Sequence, residues 1–245
     1  MNFSDDGELS EIEMVSTENV CISRLILSAP KTLTLLKSVS VSAQCHAVCY
    51  HNGKTYAGCI FGHVDLIDEN YQVTASFLKL PGDIRAVTVF NDTIYVLWIF
   101  VRMNKFKVNK YNFSGDYIGQ WGDTLEKSCG GDNLVIVSGM VITPDTKNKE
   151  LTVYSLDGGV LKHIPCPLSE RSTSLCALGA DSVIVSDFSS SQVFKISIST
   201  GDTLWTSRCA ASPLSVASYG EDFALVWGKT AEKIFVLDAG TGKLW

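Results

Sequence analysis

Cys45, His46, Cys49, His51, Cys59 and His63 make the densest cluster of soft ligands in the chain. Thiolates and imidazoles hold zinc when four of them converge tetrahedrally. The spacing here matches no finger, ribbon or RING pattern, and strand alternation sends Cys45 and Cys49 to one face and His46 to the other. Core cysteines and loop histidines are therefore expected, with no metal. A second group, Arg102, Lys105, Lys107 and Lys110 interleaved with Phe106, Tyr111 and Phe113, is the one basic and aromatic stretch. Cations for phosphates and rings for bases would suit single-stranded RNA. The same pattern describes the outward face of a strand whose aromatics alternate inward, and that is the reading adopted. Nucleophile and phosphate motifs are missing: the chain has no Gly-x-Ser-x-Gly elbow, no His-Glu-x-x-His and no phosphate-binding glycine loop.

Elements that position such residues need a core, and 245 residues with 46% hydrophobic and 19% charged content supply one. The longest apolar run, Ile94 to Val101, is far short of the roughly 20 residues that span a bilayer. No membrane association is expected. Asp5, Asp6, Glu8, Glu11, Glu13 and Glu18 carry the whole net charge of −6, leaving a neutral remainder without the broad cationic footprint that DNA requires. Residues 1–30 read as an acidic, flexible tail and residues 31–245 as the folded domain. The first residues lack a basic region followed by an apolar one, so a cytoplasmic location is expected. In that reducing setting the eight cysteines (Cys21, Cys45, Cys49, Cys59, Cys129, Cys166, Cys176 and Cys209) are expected to remain thiols.

The fold follows from a repeat. Small polar turns at Asn52, Asn91, Asp132, Asp181 and Glu221 each feed a β-rich run. A second set of strands begins at Val64, Val108, Leu151, Val193 and Ile234, spaced 44, 43, 42 and 41 residues apart. Each copy holds short runs of Val, Ile, Tyr, Phe and Thr broken by Gly, Asp, Asn and Ser, with no helical periodicity. A unit of roughly 40 residues with four short antiparallel strands is a β-propeller blade. Five blades are visible, from about 45 to 80, 81 to 124, 128 to 168, 172 to 209 and 212 to 245. Thr32 to Val39 reads as the outer strand of a last blade, which makes the chain a five-bladed propeller or a truncated six-bladed one.

Pro81-Gly82-Asp83-Ile84-Arg85-Ala86-Val87, followed by Asn91-Asp92-Thr93-Ile94-Tyr95-Val96 and by Lys107 to Tyr111 with Gly115, resembles an NHL repeat. Ser174 to Asp187 with Val193 to Gly201 is similar to it as well. Leu237-Asp238-Ala239-Gly240-Thr241-Gly242-Lys243-Leu244-Trp245 is similar to the tryptophan-docking turn of quinoprotein-like propellers. The NHL resemblance implies a propeller like that at the C-terminus of animal tripartite-motif proteins, which binds protein or RNA. The chain lacks the RING and B-box cysteine and histidine series of those proteins.

The expected function is a non-catalytic scaffold, without cofactor, that holds a protein partner on its loop face. Phe61, Arg85, Arg102, Arg171 and Phe188 are the expected contact residues, since Arg and aromatic side chains dominate hot spots. One alternative is a calcium-dependent lactonase-type hydrolase with a metal in the central channel, for which Asp187 is a candidate. The other is an RNA-binding propeller that uses the basic stretch.

Overall fold

The computed structural model describes residues 10–16, 21–28, 32–41, 43–100, 105–126, 133–169, 172–210, 212–228, 230 and 233–244. Among them are β-strands and one 3-10 turn, Ile60–Gly62, with no α-helix. No helix of the described residues is long and apolar enough to cross a membrane. The chain divides into two compact units, Met1–Thr124 and Leu125–Trp245.

The first unit opens with a three-stranded sheet, β1 (Ser10–Ser16), β2 (Cys21–Ser28) and β3 (Thr32–Ser40). Two four-stranded meanders follow: β4 (Cys45–His51), β5 (Lys54–Cys59), β6 (His63–Ile67) and β7 (Val73–Lys79), then β8 (Asp83–Phe90), β9 (Thr93–Phe100), β10 (Lys105–Tyr111) and β11 (Tyr117–Glu126). The first strands stand side by side, β1 against β4 and β4 against β8. The second unit holds β12 (Val135–Val137), β13 (Met140–Asp145), β14 (Glu150–Ser155) and β15 (Val160–Pro165), then β16 (Ser172–Leu178), β17 (Ser182–Asp187), β18 (Gln192–Ser197) and β19 (Thr203–Arg208). It ends with β20 (Pro213–Tyr219), β21 (Phe223–Gly228) and β22 (Lys233–Asp238), beside which a bridge from Leu237 to Leu244 starts a fourth strand.

The five repeat copies are thus the five blades of an all-β propeller, with strands paired in chain order. Two expectations are corrected. Residues 10–28 of the expected tail contain β1 and β2, and Thr32–Ser40 is the third strand of their sheet instead of the outer strand of the last blade.

Turn chemistry fixes the register of three of the first hairpins. Asn52-Gly53, Asn91-Asp92 and Ser138-Gly139 carry positive φ at both central residues, as a turn that matches strand twist requires. The second strands are buried at successive residues and so covered on both faces, which is why they read as continuous apolar runs. Ile94 to Ile99 of β9 are all buried, so the longest apolar run in the chain is a middle strand. In the first unit Tyr56, Val64, Ile84, Val87, Ile94 and Trp98 share one core. In the second, Ile142, Leu151 and Val153 pack on Leu175, Val183 and Val185, and Ile184 and Val193 on Val216, Val226 and Leu237. Each such aliphatic side chain contributes about 1.5–3 kcal/mol of burial free energy.

A docking contact recurs between blades. The Trp205 indole of β19 donates to the Ala239 carbonyl at 3.0 Å and lies so close to Gly242 that a Cβ there would meet its ring at 2.7 Å. Ile164 of β15 sits likewise 3.6 Å from the Cβ position of Gly201, and Phe77 of β7 3.5 Å from that of Gly115. An apolar side chain of one outer strand therefore seats on the turn glycine of the next blade.

Candidate interaction surface

Four of the first strands begin with the same irregularity. The register slips by one residue between Cys45 and Ala47, Ile84 and Ala86, Ser172 and Ser174, and Pro213 and Ser215. The extra residues are His46, Arg85, Thr173 and Leu214. A bulge leaves its residue without a cross-strand partner and re-aims it, a device common beside binding sites. His46 is exposed, Leu214 partly so, and Arg85 half-buried.

In the first unit, two loops meet at the bulge that carries Arg85. The turn Ile60–Gly62 joins β5 to β6, and Leu80 to Gly82 join β7 to β8. Ile60 donates its amide to Gln44 O at 2.8 Å, and Leu80 its amide to Gly62 O at 2.8 Å. Gly62 has φ +80°, and a Cβ there would lie 1.8 Å from the Leu80 carbonyl oxygen, so only glycine fits. Phe61 itself sits at φ 60°, ψ 19°, a left-handed conformation that costs a bulky L-residue about 1–2 kcal/mol. Its amide donates to Asp83 Oδ1 at 3.0 Å. The other oxygen of that carboxylate faces Arg85 Nη2 at 3.7 Å. One aspartate thus holds the backbone of Phe61 and the guanidinium of Arg85. The Phe61 ring, 70% exposed, is the most exposed of the large apolar side chains among the described residues.

Beneath this turn Cys45 and Cys59, register partners at the ends of β4 and β5, are joined by a disulfide. This corrects the expectation of thiols at these two positions. The remaining members of the soft-ligand cluster disperse: His51 stacks on Phe113 with ring centroids 5.4 Å apart, and His63 Nδ1 contacts Ser76 Oγ at 3.2 Å.

The second unit builds the corresponding turns differently. Counted along the second strands, the position of Cys59 is held by Trp98, Asp145, Asp187 and Gly228. Asp145 is buried and caps its own turn, accepting from the amides of Lys147 and Asn148 at 3.0 Å each and from the Asn148 side chain at 2.8 Å. Asp187, fully buried, accepts from the Ser169 amide at 2.8 Å, the Ser169 hydroxyl, and the amides of Ser189 and Ser190 at 3.1 and 3.4 Å. It ties the loop between blades to the turn after β17. Burial, with the Asp187 charge beside it, pushes the Cys166 thiol up to about 12, so this cysteine is protonated and inert at neutral pH. Burial likewise pushes Cys176 up to about 12.

Of the expected contact residues, Phe61 and Arg85 meet at Asp83. Phe188 follows Asp187 in the second unit and, like Arg85, is half-buried. Arg102 and Arg171 lie outside the described residues. Lys107 and Lys110 are half-buried on opposite faces of β10, so these two do not share a surface. Leu214 and the bulge position of His46 went unnoticed because a bulge leaves no mark in composition or periodicity.

No protein family model and no curated protein matches this sequence. Solved structures do. The chain is similar to the WD40 β-propeller domain of Doa1, with TM-score 0.67 and 11% identity over 96% of this chain and 78% of that one. It is similar to hydrazine synthase of Kuenenia stuttgartiensis, with TM-score 0.72 and 11% identity over 93% and 80%. A protein of unknown function from Bacteroides caccae matches with TM-score 0.72 and 10% identity over 96% and 92%. At these identities the likeness is one of fold.

Proposed function

We propose that the chain is an NHL-like propeller that works as an interaction scaffold without chemistry of its own, docking a protein partner on the Phe61 turn. The observation that carries this reading is the exposed Phe61 ring on a backbone fixed at both ends and at its own amide. A rigid aromatic anchor loses little conformational entropy on binding, and truncating such an anchor typically costs 2 kcal/mol or more. Arg85 adds a partly shielded cation next to it.

The hydrolase alternative draws no support from Asp187, whose two oxygens are already engaged by Ser169 and the turn amides. The RNA alternative requires Arg102, Lys105 and Lys107 on one exposed face, and Arg102 lies outside the described residues. Propellers commonly serve as interaction scaffolds, which agrees with the reading.

The test is affinity capture from the native source with wild-type protein, Phe61→Ala, and a control substitution at exposed Leu204, all matched for thermal stability. One protein retained by wild type and the control and lost with Phe61→Ala is expected, the loss being about 30-fold. Equal retention by Phe61→Ala would place docking elsewhere.

A further inference from the structure

We infer that the Cys45–Cys59 disulfide is a redox-operated clamp on the Phe61 turn, so that a dithiol reductant loosens the docking surface. The inference rests on the scaffold reading for its purpose and on the repeat for its evidence. At the same strand position two of the second unit's three turns are closed by carboxylates, Asp145 and Asp187, which no reductant affects. In this blade the position is Cys59, and the bond to Cys45 does the closing.

The entry to the turn is next to that bond, while its far end is held by Leu80 on Gly62 and its middle by Asp83. Cys59 precedes Ile60, whose amide bonds to Gln44 O, and Gln44 precedes Cys45. Phe61 holds a left-handed backbone that persists only while its surroundings impose it. Both cysteines are fully buried, so a reductant reaches them only when the turn opens, and reduction and opening favour one another.

The exchange balances. One thiolate of a dithiol attacks a sulfur of the pair and forms a mixed disulfide, and its second thiol displaces the remaining cysteine. The dithiol leaves as a cyclic disulfide, and two electrons and two protons pass to Cys45 and Cys59, which end as thiols. Two sulfurs no longer bonded require van der Waals separation, and in the proposed clamp the ends of β4 and β5 then part and release the Gln44–Ile60 contact.

The experiment is amide hydrogen exchange on the full chain, purified without reductant, then treated with dithiothreitol, then reoxidised. Peptide mapping of the untreated protein should show Cys45 linked to Cys59. Reduction should speed exchange at Ile60 and Phe61 at least ten-fold, leave β17 and β18 protected, and reverse on reoxidation. Full alkylation of both cysteines in untreated protein, unchanged exchange at Phe61, or loss of protection throughout β17 and β18 would each overturn the clamp. The Cys45→Ala/Cys59→Ala variant should match the reduced protein. Because exchange needs no partner, a failed capture by Phe61 would sink the scaffold reading and leave this result standing.

Discussion

The turn after β5 and the turn after β17 occupy the same place in their blades and spend their polar groups differently. In the second unit, Asp187 turns inward and exhausts its oxygens on four donors of its own chain. In the first, Asp83 makes one backbone contact and one long ion contact, and what it holds, Phe61 and Arg85, reaches solvent. The comparison separates a rim built to be stable from a rim built to be met.

The largest effect expected from breaking this contrast is at Asp187. Asp187→Ala removes the buried acceptor of four hydrogen bonds and should cost about 3–5 kcal/mol in urea unfolding. Asp187→Asn keeps the shape and should cost less. A loss below about 1 kcal/mol would mean that the second rim is not held by its carboxylate. At Phe61 the sign reverses. Phe61→Gly relieves the left-handed backbone and should leave stability unchanged or raise it by up to about 1 kcal/mol, while abolishing partner capture. A clear destabilisation would make the ring a structural element.

The smallest effect concerns acid. Hydroxyls of Ser199 and Ser197 hold the Asp181 carboxyl below its ordinary 3.8, and the hydroxyl and amide of Thr241 do so for Asp238. A folded value below the unfolded one means that the unfolded chain takes up protons first. The contribution is complete above the ordinary value and is lost as pH falls through the folded one. Urea unfolding at pH 6 and pH 3 should show a smaller acid-induced loss in Asp181→Asn/Asp238→Asn than in wild type.

The blades were legible because their turns and middle strands leave sequence marks: Asn52-Gly53 for a tight hairpin, Ile94 to Ile99 for a strand covered on both sides. β1 was misread for an electrostatic reason. Glu11 and Glu13 alternate with Ile12 and Met14, a strand period that the concentration of acids in the segment obscured. The disulfide was hidden by geometry. A regular hairpin about Asn52-Gly53 puts Ala47 opposite Gly58 and would set Cys45 opposite residue 60. The single extra residue His46 shifts the pairing and brings Cys59 to Cys45. Arg85 was found by residue type, whereas its displacement by a bulge needed coordinates.

That displacement also bears on how such a chain can change. Residues 46, 85, 173 and 214 are the extra residues at the register shifts, so a substitution there alters no register and leaves the alternation of the core intact. Drift can sample histidine, arginine, threonine and leucine at this one slot, as this chain already does, and each blade acquires its own surface chemistry independently of the others. A new specificity would then require a handful of single-codon changes on an unaltered scaffold.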